Sequence, residues 1–142
     1  MSARFVRWQT VLREHLSYVN NLLLISSFAI IGFVLNLLND SHFQPSCCTK
    51  THLFFGILLV LASSLFGLIM AFSRLMDFRT TVRKIKLEEQ GATPSSLGSL
   101  KASMDMYSAM TWLFFYCQIL SLFLSLINFF YFFILHYSVK LF

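Results

Sequence analysis

The sequence predicts an all-α, three-span transmembrane helical protein with an N-terminal interfacial helix and a cytoplasmic antiparallel helical hairpin. Three observations carry that prediction. The 142 residues are 57% hydrophobic and only 12% charged, about half the charge of a soluble domain. The charged residues leave long uncharged windows at 15–39, 51–73 and 106–139, and about 20 mostly apolar residues suffice to cross the hydrocarbon as a helix. Residues 107–139 contain neither Gly nor Pro. A hairpin inside that window would have nothing to turn on and would leave backbone groups unpaired in lipid, so it reads as one long helix. The whole of 1–142 forms a single membrane domain.

Residues 3–19 place Phe5, Trp8, Leu12, Leu16 and Val19 at spacings of three and four, with Arg4, Arg7 and Glu14 elsewhere. That pattern predicts an amphipathic helix on the inner leaflet with Trp8 at headgroup depth; the alternative is a plain extension of the first span. The first span covers 20–38. Ala29, Gly32 and Asn36 share one of its faces, where a neighbouring helix can come close and Asn36 can bond across. An outer loop, 40–51, leads to the second span, in which Ser63, Gly67 and Ala71 recur at fours, with Gly56 further up, and again invite close packing.

Past Ser73 the helical period continues through Leu75, Phe78, Val82 and Ile85, so the second helix runs over 52–90 and stops before Gly91 and Pro94. Residues 91–98 are the linker, with the next helix starting near Ser96 or Ser99. From 99 to 138 one register passes through Leu100, Met104, Tyr107, Thr111, Phe114, Gln118, Ser121, Ser125, Asn128, Phe132 and Leu135. Alternating threes and fours are the period of a coiled-coil seam. Thr111, Gln118, Ser121, Ser125 and Asn128 therefore face protein or water rather than acyl chains, and form the assembly or pore seam. The second and third helices extend inward as the two arms of the hairpin.

Orientation follows from the basic residues. Arg4, Arg7, Arg13, Arg74, Arg79, Arg83, Lys84, Lys86 and Lys101 flank the spans on one side, and only Lys50 and Lys140 on the other. The positive-inside rule gives a multi-pass membrane protein with a cytoplasmic N-terminus and an external C-terminus. The net charge of +5 thus reads as topology, not as nucleic-acid binding. The first apolar run lacks a small-residue cleavage site and reads as a retained span.

Chemistry-bearing residues are few. The outer loop holds His42, Cys47, Cys48 and His52 near Asp40. Vicinal cysteines are poorly placed to chelate one ion together, and neither CxxC nor HxxxH occurs, so no metal and no cofactor is assigned. A disulfide involving Cys47 and Cys48 is the stronger reading. Arg74, Asp77, Arg79, Arg83 and Lys84 gather at the inner boundary, where they contact anionic headgroups or a ligand, or serve only as solvated topology charges. No carboxylate lies in the uncharged windows and no G-x-S-x-G, P-loop or H-E-x-x-H is present, so no catalytic residue is assigned and an enzyme is not expected.

Arg74, Leu75, Asp77, Phe78, Arg79 and Thr81 just after the second span, followed by Thr111, Trp112, Leu113 and Phe114 with Gln118 a turn on, resemble small uncharacterised bacterial multi-pass membrane proteins. The resemblance covers roughly the second half of the chain. It implies a bacterial inner membrane and no particular activity.

The functional expectation is a non-enzymatic integral membrane protein acting through helix–helix assembly, as a homo-oligomer or a subunit of a larger membrane complex. Its partners are the lipid bilayer, anionic lipid, and a second copy or another membrane protein. One alternative is an oligomeric, weakly selective pore or membrane-permeabilising effector lined by the third span. Another is metal or thiol handling at the Cys-Cys loop.

Overall fold

Residues 3–40, 47–90 and 94–141 are described by a computed structural model, with side chains except at 3–9, 13, 47, 48, 88, 94–97, 99 and 138–141. Within these residues the chain makes α1 (Ala3–Asn39), α2 (Cys47–Glu89) and α3 (Pro94–Leu141), and no strand. All three are long and apolar enough to cross a membrane, over Thr10–Asn39, Thr49–Leu87 and Leu100–Tyr137. The chain is therefore an all-α, multi-pass membrane protein. With 37, 43 and 48 residues, the helices run about 55 to 70 Å at ~1.5 Å per residue. A bilayer with its headgroups is only about 40–45 Å thick, so each helix reaches past it.

The helix boundaries differ from the expected ones in physically simple ways. Segments 3–19 and 20–38 form one unbroken helix; nothing in "SYVNN" breaks the backbone ladder, and the uncharged window begins before the expected junction. The connection between α2 and α3 shrinks, because α3 starts at Pro94. Proline suits the first helical turn, where its missing N–H would have had no partner. α2 likewise starts at Cys47, inside the expected loop.

α2 is the central element. It pairs with α3 along its length, carries α1 on another side, and leaves α1 and α3 in only slight contact. The α2–α3 pairing is antiparallel: His52 meets Tyr131 edge-on, Phe66 stacks on Phe114, and Ser73 bonds to Tyr107. Buried positions of α2 run through Thr49, Leu53, Gly56, Val60, Ser63, Gly67, Met70 and Ser73, again at fours and threes, with Ser64 buried beside them. On α3 no described position of the register from Leu100 to Leu135 is exposed. Two seams of the same period thus interlock.

The core is graded. At the end opposite the basic cluster it is aliphatic and aromatic, with Val34, Leu53, Val60, Phe129 and Phe132 packed together. Toward the middle and the basic end it turns polar, with Ser63, Gln118, Ser73 and Thr111 buried. Surface apolar residues such as Ile25, Leu65, Phe123 and Phe130 meet the acyl chains, where they need no partner.

The stripe Leu75, Phe78, Val82 and Ile85, which carries the helical period past the span, lies on the outer side of α2. All four side chains are at least half exposed or nearly so, at 54%, 60%, 49% and 50%. They continue the exposed side of α2 beyond Ser73. The arm's interhelical face carries Arg79, Thr80 and Arg83, which share a groove with Leu100, Ser103 and Tyr107.

Candidate functional site

The polar seam is built from hydroxyls that donate across the α2–α3 interface. Ser125 Oγ donates to the Gly56 carbonyl at 3.0 Å, and Ser63 Oγ to the Gln118 carbonyl at 3.0 Å. Nearer the basic end, Ser73 Oγ and Thr111 Oγ1 both donate to the Tyr107 carbonyl, at 3.1 and 2.8 Å, and lie 3.2 Å apart. Such bonds are worth about 0.6 kcal/mol each in a membrane. Their larger value is register, since a slip of one residue would strand every donor.

Glycine makes the approach close enough. A Cβ at Gly56 would stand 2.8–3.2 Å from the Phe129 ring. At Gly67 it would stand 2.5 Å from Gln118 Nε2 and 2.9 Å from Leu24 Cδ2. Gly67 is therefore one point where all three helices converge, and it holds the Gln118 carboxamide against α2. That carboxamide is fully buried, yet neither Nε2 nor Oε1 has a hydrogen-bond partner. Asn20 and Asn128 each leave Oδ1 buried and unpaired as well. A buried polar group without a partner costs about 1–3 kcal/mol.

Hydroxyls outside the seam are satisfied locally. Ser26, Ser27, Ser64, Thr80, Thr81 and Ser121 each donate to the carbonyl four residues back. That back-bonding lets a hydroxyl sit in an apolar helix without a neighbour. Ser121, expected in the seam, is half-buried and uses this device. Thr111, Gln118 and Ser125 are buried against α2, and Asn128 is half-buried.

The five residues expected to pack helices closely divide in two. Ser63 and Gly67 lie inside the molecule, between α2 and α3. Gly32, Asn36 and Ala71 are exposed, and a Cβ at Gly32 would meet nothing within 4 Å. Within one chain α1 uses a different face, through Asn20, Leu24, Ser27 and Val34.

The boundary charges also divide. Arg74 and Asp77 line a cleft with Leu12 and Leu16 of α1 and Ser108, Thr111 and Trp112 of α3. Arg79 and Arg83 are exposed and border the α2–α3 groove instead, while Lys84 is half-buried. The side chains of Cys47 and Cys48, and His42, lie outside the described residues. Among the described residues no group of three or more His, Cys, Asp or Glu is placed to hold a metal ion, and Cys117 is a free, half-buried thiol.

Ser73 and Asn20 were not singled out by sequence reasoning, whereas Gly56 belongs to the small-residue pattern of the second span. Ser73 had a usable signal, since three residues past Met70 it continues the seam of Gly56, Ser63 and Met70, which are seven residues apart on α2 and match Ser125, Gln118 and Thr111 on α3. Comparison with known protein families, curated proteins and solved structures finds no match to this chain.

Proposed function

We propose that the protein works by helix–helix association in the membrane, as a homo-oligomer or a subunit of a larger membrane complex, and not by catalysing a reaction. The observation that carries this reading is the state of α1. Only 11% of its most apolar stretch is buried in the molecule, against 39% for α2. On its open side Ala29, Gly32 and Asn36 present small side chains and a carboxamide to the bilayer. Lipid cannot hydrogen-bond Asn36, whereas another helix crossing at Gly32 can, and close backbone approach supplies the dispersion that drives association in lipid.

This moves the assembly surface from the third helix to the first. The burial of the seam residues Gln118 and Ser125 against α2 supports packing within the chain over the lining of a pore. The orientation that fits the charges keeps the N-terminus and the α2–α3 connection in the cytoplasm.

The test is cysteine crosslinking in native membranes, with Cys47, Cys48 and Cys117 replaced by alanine. Gly32→Cys yields a covalent dimer, or a defined adduct with a partner, within minutes of mild oxidation. Leu61→Cys, on an exposed part of α2, yields neither. Equal labelling at both positions, or none at Gly32, ends the assembly reading.

A further inference from the structure

We infer that the groove between the arms of α2 and α3 past the basic boundary binds a dianionic phosphate group, the phosphate monoester of a small molecule or of a lipid headgroup. Arg79, Thr80 and Arg83 form the α2 wall, and Leu100, Ser103 and Tyr107 the α3 wall, around about 360 Å³. α2 and α3 pair along their length, so the two walls keep their spacing without a ligand.

Charge selects the ligand. Arg79 and Arg83 are four residues apart, so their guanidiniums leave one face of α2 a single turn apart. Both are exposed, and among the described residues neither side chain has a hydrogen-bond or ion-pair partner. No carboxylate stands among the described residues that line the groove. Lys86, three residues on, borders an adjoining groove with the same two arginines and adds a third cation nearby. Each guanidinium can donate two parallel N–H bonds to a pair of phosphate oxygens. A monoester carries about −1.5 to −2 at pH 7 and so neutralises both arginines. A diester or a carboxylate, with one charge, leaves one of them uncompensated. Thr80 adds no donor, because its hydroxyl already donates to the Met76 carbonyl at 2.7 Å, so recognition rests on the arginines.

Depth narrows the source. The uncharged window ends at Ser73, and Arg79 and Arg83 lie six and ten residues beyond it. At ~1.5 Å per residue they stand about 9 and 15 Å past the hydrocarbon edge. The headgroup layer occupies only about 5–8 Å on each side of the bilayer. The phosphodiesters of ordinary phospholipids therefore lie below the groove. A phosphate on the far end of a tall headgroup reaches it, as does a water-soluble ester.

The full chain in phosphatidylcholine nanodiscs tests the site in two arms. In the first, calorimetry follows the binding of glycerol 3-phosphate, a monoester, and of dimethyl phosphate, a diester. In the second, native mass spectrometry compares retention of phosphatidylinositol 4-phosphate with that of phosphatidylinositol, which lacks the monoester. Binding of glycerol 3-phosphate about fivefold or more tighter than dimethyl phosphate, the scale of one surface charge contact, assigns the site to a free ester. A preference of that size confined to the second arm assigns it to the lipid. In the arm that binds, Arg79→Gln and Arg83→Gln each weaken the monoester about fivefold. Both side chains are exposed, so neither change puts folding at stake. Lys101→Gln, an exposed cation of α3 outside the groove, leaves binding unchanged. No preference for a monoester in either arm, or an equal loss in Lys101→Gln and the two arginine variants, overturns the site.

Discussion

Gly67→Leu lowers stability by about 3 kcal/mol or more, the upper part of the range for overpacking a filled interior. Even a methyl group at this position would stand 2.5 Å from Gln118 Nε2 and 2.9 Å from Leu24 Cδ2. The ends of those two side chains can swing for a methyl group, but a branched side chain leaves them no room. α1 is then pushed off α2, and the Ser63 bond to α3 next to the contact is stretched. Reversible unfolding in mixed micelles, followed by helicity, measures the loss. Gly67→Ala is milder, and Gly67→Ala with Gln118→Ala recovers most of its cost, a coupling of roughly 1 kcal/mol between touching residues. Additive effects would mean that the two side chains do not meet.

Gln118→Leu acts in the opposite direction. The wild-type carboxamide is fully buried and makes no hydrogen bond through either polar atom. Leucine has a similar volume and nothing to satisfy, so the variant gains about 1–3 kcal/mol, the cost of an unpaired buried polar group. The cross-helix bond is untouched, because Ser63 donates to the Gln118 backbone carbonyl and not to its side chain. The same unfolding experiment reads the gain. A loss of similar size would show that the amide has a partner in the membrane, and would make Gln118 a binding residue.

The seam of α3 was legible in the sequence because its signal does not depend on the solvent. From Leu100 to Leu135 the register mixes Thr, Gln, Ser and Asn with aromatic residues at alternating threes and fours, and lipid excludes polar groups as firmly as water excludes apolar ones. The face used by α1 was not legible. When the surroundings are hydrocarbon, inward and outward residues are both apolar, so Leu24 and Ile25 read alike although one meets Gly67 and the other the bilayer. The stripe from Leu75 to Ile85 was legible as a continuation of the helix, which runs to Glu89, while the side on which it packs was not. The cleft at Arg74 and Asp77 was half legible. Its charges stood out at the end of the second window, but Leu12, Leu16 and Ser108 join it only through tertiary packing.

Ser73→Cys with Thr111→Cys, in a chain whose own cysteines are replaced, tests most directly whether the polar stripe of the third helix is spent within one molecule. The two hydroxyl oxygens lie 3.2 Å apart across α2 and α3, so the paired sulfurs are close enough to bond with little movement. Non-reducing electrophoresis after oxidation in native membranes should show the link at monomer mass. A link found only at dimer mass would mean that α3 turns this face to another chain, contradicting the fold and the assembly surface built on it.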